Sequence, residues 1–162
     1  MVADFGALVK GAGFYQGPVV TQNGGRFQAG NSPGAATFGE FVFGPGGVSD
    51  YVFSINDALG AAGPAPDAAG QVRGWGVVRA VRQQVGGLTT AGDFTWAADP
   101  THRLGLALET LLNPTTGGMD VLGPMANFDP TQAYAWPVVQ WAGIYTGPAD
   151  VEALAASTVF DA

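Results

Sequence analysis

His102 is the only histidine in the chain, so a mechanism that needs an imidazole, whether a Ser-His-Asp relay or a zinc-bound water, has to run through it. Asp99 stands three residues earlier, where it could orient the ring. No Gly-x-Ser-x-Gly elbow and no second histidine join the pair, and the sequence favours a histidine on a surface turn ahead of a strand. Carboxylates offer a second chemistry. Glu40, Glu109 and Glu152, with ten aspartates, could furnish a glycosidase pair, which needs its carboxyls roughly 5 to 9 Å apart across a cleft. Most of the aspartates neighbour Gly, Pro, Asn or Ser, where turn formation and capping are their ordinary use. Glu109, facing away from a row of leucines, is the one glutamate singled out, and hydrolysis of a glycan stands last among the readings.

Asp50, Asn56 and Asp57 fall along one strand and its turn, and carboxylate and carbonyl oxygens are what calcium takes. Their spacing matches neither an EF-hand loop nor a Gly-Gly-x-Gly-x-Asp repeat, so an ordinary turn is the stronger expectation and calcium the candidate beside it. No other cofactor is expected. Among the aromatic residues Trp75, Trp96, Tyr134, Trp136, Trp141 and Tyr145, the last three named, Trp136, Trp141 and Tyr145, are candidates for stacking on sugar rings, because an aromatic face covers apolar sugar surface while its polar tip stays wet. Trp136 and Trp141 differ by an odd number, so in a regular strand they face opposite sides.

Thirteen acidic residues oppose six basic ones for a net charge of −7. That field repels phosphate backbones, and Arg73, Arg79 and Arg82 are too sparse to track one, so nucleic acid is excluded as a partner. Cysteine is absent, which removes disulfides, thiolate metal sites and a cysteine nucleophile. No stretch reaches the ~20 apolar residues of a membrane helix, so no membrane insertion of this segment is expected. The N-terminus lacks a basic leader followed by an apolar run, so an exported parent protein would have lost its signal peptide, with Met1 an added start.

The elements that must position these residues read as strands. With 26 Gly and 11 Pro among 162 residues, nearly every window long enough for a helix is interrupted. Asp4 to Gly11 and Pro148 to Ala156 are the two helical candidates. His102 to Leu112 alternates, with Leu104, Leu106, Leu108 and Leu112 on one face, and Asp50 to Asn56 alternates with Tyr51, Phe53 and Ile55. Further strands are expected at Gly17 to Thr21, Ala36 to Phe43, Trp75 to Val85, Gly92 to Ala97 and Tyr134 to Trp141. Ala58 to Gly70 is expected to be a surface loop. One all-β domain over residues 1–162 follows, as stacked coils or as a two-sheet sandwich or jelly roll.

The segment Gly24 to Gly39, with its structural turn Asn31-Ser32-Pro33-Gly34, resembles a glycine-punctuated unit of bacterial autotransporter passengers and of exported proteins carrying PEP-CTERM sorting tails. Tyr51-x-Phe53-x-Ile55, Gly74-Trp75, Asn127-Phe128-Asp129 with Tyr134-x-Trp136, and Val159-Phe160-Asp161 are similar to later units of such proteins in the same order, over roughly residues 17 to 162. The resemblance implies a right-handed parallel β-solenoid or its capping region, part of a longer exported protein displayed at the cell surface or in an extracellular matrix. With no catalytic constellation assembled, the first reading of such a protein is a non-enzymatic structural or adhesive module that self-associates. A carbohydrate-binding module that takes polysaccharide on exposed aromatic residues is the alternative. Low charge density along Phe38 to Phe53 leaves strand edges poorly protected against pairing with another chain.

Overall fold

The computed structural model describes residues 1–30, 33–82, 84–85, 87–89, 91–113, 115–116 and 121–161. In chain order its elements fall into successive layers. The first holds β1 (Val2–Ala3), β2 (Leu8–Gly11), β3 (Gly13–Tyr15) and β4 (Val20–Thr21). The second holds β5 (Arg26–Ala29), β6 (Ala35–Phe38) and β7 (Glu40–Phe43). The third runs through β8 (Asp50–Ile55), β9 (Ala61–Ala62), β10 (Gln71–Val72), β11 (Gly74–Trp75), β12 (Val77–Ala80), β13 (Gln84–Val85), β14 (Leu88–Thr89) and β15 (Asp93–Trp96). The fourth has β16 (Leu104–Thr110), β17 (Thr115–Thr116), β18 (Val139–Trp141), β19 (Tyr145–Thr146) and α1 (Val151–Ala156), and β20 (Thr158–Asp161) follows.

The protein is all-β, with three main sheets. In the first, β2, β5, β8, β16 and β20 lie side by side, all parallel, and β11 and β9 join at the far end of β8. The second is β3, β6, β12 and β18, and the third β7, β15 and β19, again all parallel. The chain therefore visits the first, second and third sheets in the same order, layer after layer. Among the described residues only three pairings are antiparallel, namely β10 with β17, β11 with β8 and β13 with β14.

Register stacks like residues in columns. Val9, Phe27, Tyr51, Leu106 and Phe160 pair in succession in the first sheet. Tyr15, Phe38, Ala80 and Trp141 do so in the second, and Phe41, Phe94 and Tyr145 in the third. Each strand's alternate side chains point to one side, and in the middle layers that side is the core, where Phe27, Phe38, Phe41, Phe43, Tyr51 and Phe94 are all buried. Ring centroids 4.8 to 6.3 Å apart link Tyr15 to Phe38, Phe38 to Phe41 and Phe41 to Phe94, and each fully buried ring contributes about 1.5–3 kcal/mol.

β8 and β16 form as strands where expected, although Tyr51 to Ile55 are buried on both faces and in β16 only Leu104 is buried. Ala36 to Phe43, by contrast, is two strands. The chain turns at Gly39 and sends β6 and β7 to different sheets. Trp75 to Val85 likewise divides at Gly76, where a Cβ would sit 3.0 Å from the Ala29 carbonyl oxygen, so that a side chain would need the neighbouring backbone to give way by a few tenths of an ångström. Of Gly17 to Thr21 only Val20–Thr21 is a strand, and of Tyr134 to Trp141 only Val139–Trp141, because Pro137 has no N–H to give a ladder. The helix expected over Asp4 to Gly11 is not formed. Phe5 and Gly6 hold positive φ in a turn closed by Ala7 N–H to the Asp4 carbonyl, and Leu8 begins a strand. The second helix is present but shorter, as α1, with the Asp150 carboxylate capping Ala153 N–H. The loop expected over Ala58 to Gly70 includes β9, paired with β11.

Candidate functional site

The columns end in an open layer. Phe160 lies in register with buried Tyr51 and Phe27, yet is 74% exposed, because no described strand lies on the far side of β20. Trp141, in register with buried Ala80 and Phe38, is 47% exposed, and Ile144, just before β19, 68%. Leu108 and Leu112, expected on the buried face of their strand, are exposed. Among the described residues, pairing of β16 with β20 stops at Ala107, and Leu108 beyond it is half exposed. Three parallel edge strands, β18, β19 and β20, thus present apolar side chains and unpaired backbone at one end of the molecule, a surface that favours burial against another chain. Sequence reasoning singled out Trp141 and Tyr145 for stacking on sugars but missed Phe160 and Ile144, because no local signal in the sequence says which strands have no described neighbour.

The three glycan candidates separate into two groups. Trp141 and Tyr145 come together, with centroids 5.4 Å apart, both against Phe94 at 5.5 and 5.6 Å. The Tyr145 hydroxyl donates to the Pro148 carbonyl at 3.0 Å, and partial burial raises its pKa. Trp136 belongs elsewhere. It packs nearly parallel to Tyr134, at 5.2 Å and 17°, and Tyr134 packs on Phe128 at 5.6 Å. Its indole N–H donates to the Ala58 carbonyl at 3.1 Å. Rings stacked on each other spend their faces on one another, so this pile offers a sugar little flat surface.

The three calcium candidates are not gathered into one cluster. Asp50 starts β8 and Asp57 lies past its end, roughly 20 Å away at the usual rise of an extended strand. Asn56 is buried, bridging the Val72 carbonyl and Gly74 N–H. Asp57 is instead the centre of a partly buried polar latch. Its carboxylate accepts from Leu59 N–H at 3.0 Å, Asn127 Nδ2 at 2.8 Å and Asn113 Nδ2 at 3.1 Å, tying together the loops that follow β8 and β16 and the segment before β18. Asn113 and Asn127 were not anticipated, since their partner is over fifty residues away in the chain. Among the described residues no three His, Cys, Asp or Glu side chains form a group that could hold a metal.

His102 sits on an exposed turn built by Asp99. The Asp99 carboxylate accepts from Thr101 Oγ1 at 2.6 Å, Thr101 N–H at 2.7 Å and His102 N–H at 2.8 Å, and these bonds, the Thr101 hydroxyl first, lower its pKa to about 2. His102 Nδ1 lies 3.5 Å from that oxygen and 2.9 Å from Thr101 Oγ1. Glu109 pairs with Ser54, on the side of the first sheet away from the Tyr51 column. Of the expected structural turn, Asn31 and Ser32 lie outside the described residues. Pro33 and Gly34 are buried, and Gly30, at φ +80°, has its backbone so close to that of Gly34 that a Cβ would collide with it. At the opposite end from the open layer, a groove of about 430 Å³ runs beside β7, lined by Tyr15, Val19, Phe38, Glu40, Phe41 and Val42 among others.

Compared with known protein families, curated proteins and solved structures, the chain has no significant match in any of the three. Among the described residues no helix is long and apolar enough to cross a membrane.

Proposed function

We propose that this chain is a right-handed parallel β-solenoid segment that acts outside the cell as a non-enzymatic structural or adhesive module, assembling through its open end layer. Strands that stay in parallel register across three sheets while the chain circulates among them support a solenoid over a sandwich, whose sheets are built from antiparallel strands. The right hand follows from the strong preference of parallel crossovers. Export and surface display rest on the resemblance of the Gly-Asn-Ser-Pro-Gly segment and the motifs after it.

The exposure of Phe160 and Trp141, side chains that the register turns toward the core, carries the proposal of self-association. Sedimentation velocity over a wide concentration range tests it. The expected result is growth of multimers with concentration, reduced in a Phe160→Ser, Trp141→Ser double variant. A monomer throughout would overturn the reading. A chelator added to the same series tests calcium, and loss of multimers would point to a cation held between copies and not to a ready-made site at Asp50, Asn56 and Asp57. Polysaccharide binding is the second reading, favoured by the juxtaposition of Trp141 and Tyr145 at the half-exposed end. A tryptophan emission shift on adding polysaccharide to a monomeric sample would support it.

A further inference from the structure

We infer that the open layer takes the opposite end of a second copy, so that the molecules join head to tail with their parallel registers continued across the joint. This rests on the self-association reading and names the face that the open layer meets. The head is the first layer, where Met1, Val2, Phe5 and Leu8 are exposed and where β2 and β3 are edge strands. The tail is the layer of β18, β19 and β20. Both ends are apolar, and the head carries more of its charge as cations than the tail does. Residues 1–39 hold a single acid, Asp4, against Lys10 and Arg26. The Asp4 carboxylate is already engaged by Phe5 N–H, Gln22 and Asn23. Residues 104–162 hold no Lys or Arg at all, and exposed Asp150 and Glu152 stand at α1, between the edge strands β19 and β20. Glu40, on the wall of the groove beside β7, is the remaining acid near the head.

Two tails brought together would set Asp150 and Glu152 against their own copies, with Arg79, bonded to Gln140 of β18, and exposed Arg103 as the cations nearby, whereas a tail on a head sets those acids near Lys10, Arg26 and the Met1 amine. Register points the same way. Leu8 is the residue before Val9 at the head of the first-sheet column, and Val159 the residue before Phe160 at its tail. Laying β20 of one copy beside β2 of the next therefore continues the pairing already present between β16 and β20. The joint uses two different faces, so it does not close on itself, and the product is an open row of molecules.

The absence of cysteine makes single introduced thiols specific reporters. Leu8→Cys and Val159→Cys are made separately, both at exposed positions, then mixed and oxidised at a concentration where the unmodified chain forms multimers. Head-to-tail joining predicts a mixed Leu8→Cys/Val159→Cys disulfide at least about tenfold more abundant than either homodimer, and a ladder of species when one chain carries both substitutions. A Val159→Cys homodimer that forms as readily as the mixed product would overturn the inference in favour of tail-to-tail pairing, and so would multimers that give no mixed disulfide. Failure of the unmodified chain to sediment as anything but monomer would instead overturn the self-association reading beneath it. As a second measure, Asp150→Lys with Glu152→Lys is expected to weaken association about threefold or more, in line with the modest worth of rim charges. Unchanged or tighter association in that variant would count against charge as the selector of the head.

Discussion

Phe27 and Phe160 stand in the same column of the first sheet, with β8 and β16 between their strands, and one is wholly buried while the other is 74% exposed. The residue type, the strand and the inward direction are alike. What differs is that Phe27 has β2 on one side and β8 on the other, whereas among the described residues no strand lies beyond β20. In a fold made of parallel strands laid in series, burial belongs to the neighbouring layers as much as to the side chain. The middle of this molecule is therefore a core and its far end a surface, though both are written in similar residues.

The contrast can be broken most directly by truncation. Phe27→Ala removes a ring in contact with Tyr15, Phe38, Phe41 and Tyr51 and is expected to cost about 3–5 kcal/mol in urea unfolding. A loss under about 1 kcal/mol would mean that the middle layers are not tightly packed. Next in size is the latch. Asp57→Ala leaves the amides of Asn113 and Asn127 without their acceptor and is expected to cost about 1–3 kcal/mol in thermal unfolding.

Tyr51 sharpens the comparison through pH. Its hydroxyl is buried with no hydrogen-bond partner among the described residues, and desolvation raises its pKa above the ordinary tyrosine value near 10. Above pH 10 the unfolded chain releases this proton and the folded chain retains it, so stability is full below that pH and falls above it by about 1.4 kcal/mol per pH unit. Tyr51→Phe should flatten that part of the alkaline fall, leaving the smaller contributions of Tyr15 and Tyr145, whose pKa values burial also raises. At neutral pH it should leave stability equal or higher by up to about 1 kcal/mol, since an unsatisfied group is removed. The smallest effect on stability is expected at the far end. Phe160→Ser should shift unfolding by less than about 0.5 kcal/mol, although the same change reduces association. A large loss of stability there would show that the end layer is packed after all.

Two strands were legible in the sequence because they are long enough for alternation to be seen, β8 with six residues and β16 with seven. Most of the others have two to four residues, too few to establish a period of two, and several turn a corner at one glycine, so that runs such as Ala36 to Phe43 read as continuous when they serve two sheets. The all-β class survives these errors because Gly and Pro disfavour long helices wherever the corners fall. The candidate site was legible only in part. Trp141 and Tyr145 could be picked out as aromatic residues near a turn, but that they share a layer with Phe160 and Ile144 depends on parallel pairing between strands far apart in the chain. Asp57 drew notice for its oxygens, and its real partners are two asparagine amides brought in by distant loops. Leu108 was placed on one face with Leu104 and Leu106, and that alternation carried no knowledge of where β20 stops covering β16.

The single lysine of the chain, Lys10, lies in β2 of the first layer, and the α-amine of Met1, bonded to the Pro18 carbonyl, lies in the same layer. An amine-reactive support would therefore seize the molecule by one end only, and every immobilised copy would stand with β18, β19 and β20 facing the solution. A sensor chip coated by ordinary ester chemistry would be an oriented array without any added tag.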